Sequence, residues 1–159
     1  MLTRGDRFAG QAGRMATKIQ ITFDCADPHR VAAFWEEALH YIEPPPPPPH
    51  ETWQDWARAE GMAEEYWDGL DARQDPDGAG PRLFFQRVPE GKVAKNRMHL
   101  DLQVGGGAKV PLAERRARVD AEVARLKALG ATDERGSTER GDEYWVRLND
   151  PEGNEFCVE

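Results

Sequence analysis

The sequence predicts an α+β protein of two like halves whose strands build a curved sheet around a cleft, with the helices outside. Three observations point there. An Asp-Pro-acid-Gly turn leading into a strand occurs once in each half, as Asp75-Pro76-Asp77-Gly78 ahead of Arg82-Leu83-Phe84-Phe85-Gln86 and as Asp150-Pro151-Glu152-Gly153 ahead of Glu155-Phe156-Cys157-Val158. Each half opens on an alternating segment that gives way to a helical stripe. The polar positions of those segments share one face, so pairing the halves gathers them on a concave surface.

Residues 18–26 read as the first strand, with Ile19, Ile21, Phe23 and Cys25 on one face and Gln20, Thr22 and Asp24 on the other. A helix follows at once. Asp27 is placed to cap it, Pro28 suits its first turn, and Val31, Phe34, Trp35, Ala38 and Leu39 recur at helical spacing. Trp35 is expected to pack behind the strand. The helix should end near His40 and Tyr41, ahead of six consecutive prolines at 44–49, which form a stiff polyproline connector or, alternatively, a ligand for an SH3-like partner.

The insertion at 43–70 carries Trp53, Trp56, Tyr66 and Trp67 on two short helical turns broken at Gly61. These aromatics form either a satellite cluster over the sheet or a wall beside a ligand. A turn at 75–80 then leads into a strand at 82–88, and 89–95 is a polar connector.

The second half opens at 99–104, where Leu100, Leu102 and Val104 face a core while His99, Asp101 and Gln103 face a polar environment. Gly105-Gly106-Gly107 is a flexible loop without phosphate-binding spacing. A helix is predicted over 112–129, with Glu114, Arg115, Arg116 and Arg118 on its solvated face and Gly130 as its cap. A short strand and turn at 132–138, a strand at 143–148 and the closing strand complete the chain. In that last strand Asn154, Phe156 and Val158 oppose Glu155, Cys157 and Glu159.

A chain of 159 residues fits one domain at 17–159, with modules at about 17–90 and 96–159. Residues 1–16 read as a disordered tail without a signal-peptide core, and Met15 offers an alternative start. The net charge of −8 argues against a nucleic-acid surface, and no apolar run is long enough to span a membrane. Two cysteines, Cys25 and Cys157, point to a reducing, cytoplasmic setting, with a single bridge between them left open.

Several phrases in order carry a resemblance: Ile21 to Pro28 with Phe34-Trp35-Glu36-Glu37-Ala38-Leu39, Gly80 to Glu90, Asn96-Arg97-Met98-His99-Leu100-Asp101-Leu102, Leu126 to Ala131, and Asp150 to Val158. Together they resemble the vicinal oxygen chelate superfamily, in particular its glyoxalase-like members. The resemblance implies two βαβββ modules enclosing a small-molecule cleft, often in a homodimer. In metal-dependent relatives the ligands come from the first and last strand of each module. Those places are held here by Gln20, Gln86, His99 and Cys157.

That set departs from the family's, because carboxylates usually occupy the last-strand positions. Neutral amides hold a hard or borderline dication poorly, and only His99 and Cys157 are good zinc ligands where a catalytic zinc has three. The expectation is therefore a small-molecule binding protein without a catalytic metal, sequestering or modifying a metabolite or antibiotic. Its pocket would hold Gln20, Thr22, Gln86, His99, Asp101 and Cys157. The alternative is a metal-dependent lyase or isomerase of the glyoxalase type, with Zn, Ni or Fe on His99, Cys157, Gln20 and Gln86. Glu155 and Glu159 would substitute as ligands under a different strand register. Asp101 is expected to pair with Arg82 or Arg97, and Cys157 reads equally as a small buried filler.

Overall fold

A computed structural model describes residues 17–159, and the tail expected at 1–16 lies outside them. The first module contains β1 (Gln20–Cys25), α1 (Pro28–Leu39), α2 (Trp53–Ala59), α3 (Glu64–Trp67), β2 (Leu70–Arg73) and β3 (Arg82–Arg87). The second contains β4 (Asp101–Leu102), α4 (Leu112–Ala128), β5 (Thr132–Arg140), β6 (Glu143–Asn149) and β7 (Glu155–Val158). In each module the opening strand lies parallel to the closing one, giving orders β1-β3-β2 and β4-β7-β6-β5.

Local chemistry sets the helix ends. The Asp27 carboxylate accepts from the Arg30 N–H, satisfying a donor that the first turn of α1 cannot. His40 closes the same helix in the left-handed region at φ 56°. Gly130, at φ 111°, ends α4 and lets the Ala131 N–H reach back to the Leu126 carbonyl.

The second module is a full βαβββ unit, whereas the first has three strands. Its missing strand is reduced to one bridge, in which Ile42 and Gln74 exchange two backbone hydrogen bonds of 2.9 Å. The prolines that begin two residues later have no N–H to continue a ladder. The α+β architecture of two modules is as expected, with the sheet divided into parts of three and four strands, since no ladder joins β1 to β4 among the described residues. Side chains join them instead.

Trp35, 1 % exposed, sits at that joint. Its ring lies 5.5 Å from Phe23 of the first module and 5.2 Å from Phe156 of the second. The closing turn of the second module grips the start of α1. Asp150 accepts from the Trp35 indole at 3.2 Å, and the two carboxylate oxygens of Glu152 accept from the Ala26 and Asp27 N–H groups at 2.7 Å each. At the other end of α1, Arg125 of α4 donates to the Glu37 and Ala38 carbonyls at 2.9 and 3.1 Å. An acid at the N-terminus and a base at the C-terminus also complement the helix dipole.

Three further expectations are corrected or closed by packing. Arg115, Arg116 and Arg118 are not simply solvated: Arg115 donates to the Val110 and Asp142 carbonyls, Arg116 lies 5.3 Å over Tyr144, and Arg118 reaches Gly105. Long side chains can span from a helix face to neighbouring carbonyls. Cys25 and Cys157 are both buried and free, so no bridge joins them. The tryptophan insertion packs on its own prolines, with Trp53 and Trp56 edge to face at 5.3 Å and the Trp53 indole donating to the Pro44 carbonyl at 2.8 Å.

Candidate functional site

Because β1 and β4 do not pair, a gap runs between the modules. It opens into a cavity of about 640 Å³ whose mouth carries Thr22, Asp24, Asn96, His99 and Glu155 and whose floor is Phe23, Trp35 and Phe156. The connector after β3 forms one wall, contributing Val88, Gly91, Lys92, Val93, Ala94 and Met98. None of Trp53, Trp56, Tyr66 or Trp67 lines it.

The connector is held down by one carboxylate. Glu155 accepts from the Asn96 N–H at 2.9 Å and pairs with Lys92 at 3.1 Å. Burial alone would raise the carboxyl, but the backbone N–H groups and Lys92 outweigh it and hold it down at about 2. The sequence showed Glu155 only as a substitute metal ligand and 89–95 only as a connector.

A second group lies on the polar sheet face. The parallel register sets Asp101 beside Cys157, and His99 precedes Asp101 by one alternation. His99 Nδ1 lies 2.9 Å from Asp101 Oδ1, and one ligand atom from each of His99, Asp101 and Cys157 falls within 4.8 Å of the others. Burial, then the charge of Asp101, pushes the Cys157 thiol up to about 11. Asp101 thus partners His99 and Cys157 rather than Arg82 or Arg97, because the strand register places it there and Arg82 is turned to Gln20.

The remaining expected positions are engaged within the first sheet. Gln20 accepts from Arg82, and Gln86 donates to Asp24 at 2.8 Å. Of the six expected pocket residues, Thr22 and His99 line the cavity; Gln20, Gln86, Asp101 and Cys157 do not. Asp101 instead faces a smaller cavity of about 420 Å³ at the other end of the gap, with Ile21, Leu39, Tyr41, Pro81 and Gln103.

The trio supplies a nitrogen, a carboxylate oxygen and a thiol. That mixture suits a borderline dication such as Zn²⁺, provided the thiol gives up its proton on binding. Asp101 is the third good ligand missing from the set of Gln20, Gln86, His99 and Cys157.

The architecture defines a class: two βα-type modules back to back, each closing on a strand parallel to its first, with a cleft at their seam. Residues 20–159 match the model of the glyoxalase-like domain, and the chain belongs to that family. Solved structures of similar fold are a glyoxalase/bleomycin resistance protein/dioxygenase family enzyme from Burkholderia phytofirmans and a possible glyoxalase from Bacillus cereus. The first is 15 % identical, with 87 % of this chain and 94 % of that one covered at a TM-score of 0.57. The second is 15 % identical, with 91 % and 98 % covered at 0.55. A mutant of the fosfomycin resistance protein FosX from Listeria monocytogenes, complexed with Mn(II) and 1S,2S-dihydroxypropylphosphonic acid, is 14 % identical, with 91 % and 90 % covered at 0.57. No curated protein matches the chain. Among the described residues no helix is long and apolar enough to cross a membrane.

Proposed function

We propose that this chain binds a small organic molecule at the seam of its two modules, sequestering or modifying it. The cavity of about 640 Å³ carries the reading, because it joins a polar mouth at Thr22, Asp24 and His99 to an aromatic floor at Phe23, Trp35 and Phe156. Sites for small molecules combine an apolar body with a few placed polar groups in this way. The family supports it as well. A native mass spectrum of freshly purified protein, followed by fragment titration read on Thr22 and His99 amides, tests it. Retention of a small molecule, or saturable shifts at both residues that vanish in His99→Ala, is expected; fragments that shift neither residue overturn it.

A second reading, a metal-dependent lyase or isomerase, is favoured by the proximity of His99, Asp101 and Cys157. Those three side chains would hold the ion, which would supply Lewis-acid polarisation of substrate oxygens. Metal analysis after loading with Zn²⁺, Ni²⁺ or Fe²⁺ separates the two readings. Stoichiometric zinc lost in both His99→Ala and Cys157→Ser supports the second, and sub-stoichiometric loading of the parent chain by each of Zn²⁺, Ni²⁺ and Fe²⁺ excludes it.

The two free thiols support a cytoplasmic setting. Homodimerisation follows the habit of the family, and light scattering at several concentrations tests it.

A further inference from the structure

The polar face of the second sheet carries one strip that neither reading uses. Along β6, Tyr144, Val146 and Leu148 alternate with Trp145, Arg147 and Asn149, and the buried Val146 and Leu148 assign the first set to the core. Arg147 stands opposite Cys157 in the antiparallel register, and Cys157 stands beside Asp101, so the three lie abreast across β6, β7 and β4. Residues paired in this way bring their Cβ atoms to about 5 Å.

Arg147 Nε is buried and has no hydrogen-bond partner among the described residues. The acid it faces, Glu134 Oε2, is 3.8 Å away, beyond hydrogen-bonding reach, and that oxygen is itself unpartnered. Asn149 Oδ1, two residues along the same face, is unpartnered too. Glu134 arrives through the irregularity in β5 between Asp133 and Gly136, a device that re-aims side chains beside sites. Its other oxygen accepts from Arg135 at 2.9 Å. Two guanidinium groups therefore share one carboxylate.

Buried donors without partners are rare in native proteins, and a guanidinium presents its donors in a fork that matches a planar oxyanion. We infer that Arg147 anchors an oxyanion, a carboxylate or phosphate group, on the polar face of the second sheet. Arg147 lines neither cavity, so the inference goes beyond the small-molecule reading and stands apart from it. Trp145 would flank the bound group, and Glu134 would hold the guanidinium in place while competing for it.

The test is an NMR titration of the full-length chain, read at Arg147 Nε–Hε, with lactate, inorganic phosphate, and lactamide as the neutral counterpart of lactate. Lactate or phosphate is expected to give a saturable shift at this group, weakened about tenfold or more at neighbouring Trp145 in Arg147→Ala, whereas lactamide gives none. Which of the two oxyanions acts distinguishes a carboxylate from a phosphate subsite. Glu134→Gln retains Arg147 and removes the competing charge, so binding should tighten by about threefold or more. An equal response to lactamide, an undiminished titration in Arg147→Ala, no tightening in Glu134→Gln, or no shift with either oxyanion overturns the inference. Indole, a neutral aromatic probe, reports on the cleft separately. If it shifts Thr22 and Trp35 while no oxyanion moves Arg147, the cleft reading stands and the anchor fails; the reverse pattern leaves the anchor and removes the aromatic cleft.

Discussion

Asp150 shows how one side chain ties a turn, a helix and a module boundary together. It is 2 % exposed and accepts from the Trp35 indole, from the Glu152 and Asn154 N–H groups and from the Asn154 side chain. Removing it leaves one buried donor, the Trp35 indole, without a partner, at about 1–3 kcal/mol, and frees the half-buried donors of Glu152 and Asn154 at a smaller cost. Asp150→Ala should therefore lower stability by about 3 kcal/mol in urea unfolding, while Trp35→Phe, which deletes one donor and keeps most of the ring volume, should cost about 1–2 kcal/mol. Equal costs for the two would show that ring packing, not the polar network, fixes the turn. The sequence made the turn legible because Asp, Pro and Gly act locally. It did not reveal that the Asp150 carboxylate reaches a tryptophan in the other module.

At the scale of elements, the caps and alternating strands were legible for the same reason of locality, and β2 was not. Leu70-Asp71-Ala72-Arg73 carries two charges in four residues at the end of the insertion, too short an alternation to predict a strand. In the fold Arg73 is 8 % exposed and pairs with Asp71 and Glu36, so burial there depends on partners that the strand pattern does not display. The site divides likewise. His99, Asp101 and Cys157 stand out by alternation, whereas the meeting of Arg147 with Cys157 depends on cross-strand register and that of Glu155 with the connector on how the chain turns back.

Two pH dependences belong to these elements. His29 Nδ1 lies 2.9 Å from Asp71 and Nε2 lies 3.7 Å from Asp68, tying α1 to the end of the insertion. Burial works to lower the imidazole, but the hydrogen bond to Asp71 and the two acidic charges outweigh it and raise it above 6.5. A raised folded value means the stabilisation is full below 6.5 and is lost as pH rises through that higher value. Amide protection in the α3–β2 segment, taken relative to the intrinsic exchange rate at each pH, should fall over that window, and His29→Gln should abolish that fall. Glu155 is the opposite case. With its carboxyl held at about 2 against an ordinary 4.5, the stabilisation is present above 4.5 and is lost as pH falls toward 2. Glu155→Gln should free the connector already at neutral pH, seen as faster exchange at the Asn96 amide and faster proteolysis within 89–98. Unchanged exchange would mean that Val93 and its neighbours are held by something other than this carboxylate.

For the whole molecule, the central question is how two sheets without a shared ladder behave as one body. Fold class and order of elements were visible in the chain because each module repeats the same local pattern, but the gap between β1 and β4 was not, since nothing local states which edges pair. The second module instead grips α1 at both ends, through Glu152 at Ala26 and Asp27 and through Arg125 at Glu37 and Ala38. A helix of 12 residues separates those grips by about 18 Å. Sites that far apart add when they are independent, to within about 0.5 kcal/mol. Glu152→Ala and Arg125→Ala should each cost about 1 kcal/mol, the scale of a lost helix cap. If the Trp35 cluster alone holds the modules together, the double variant should cost their sum and unfold in one transition. If the seam depends on both grips, it should cost more than the sum, and fluorescence, read in a background that keeps Trp35 as its one tryptophan, should change at lower urea than the far-ultraviolet circular dichroism. The buried contacts of Trp35 with Phe23 and Phe156 favour the first outcome, because an aromatic cluster that spans both sheets stabilises far more than two surface-facing hydrogen-bond pairs.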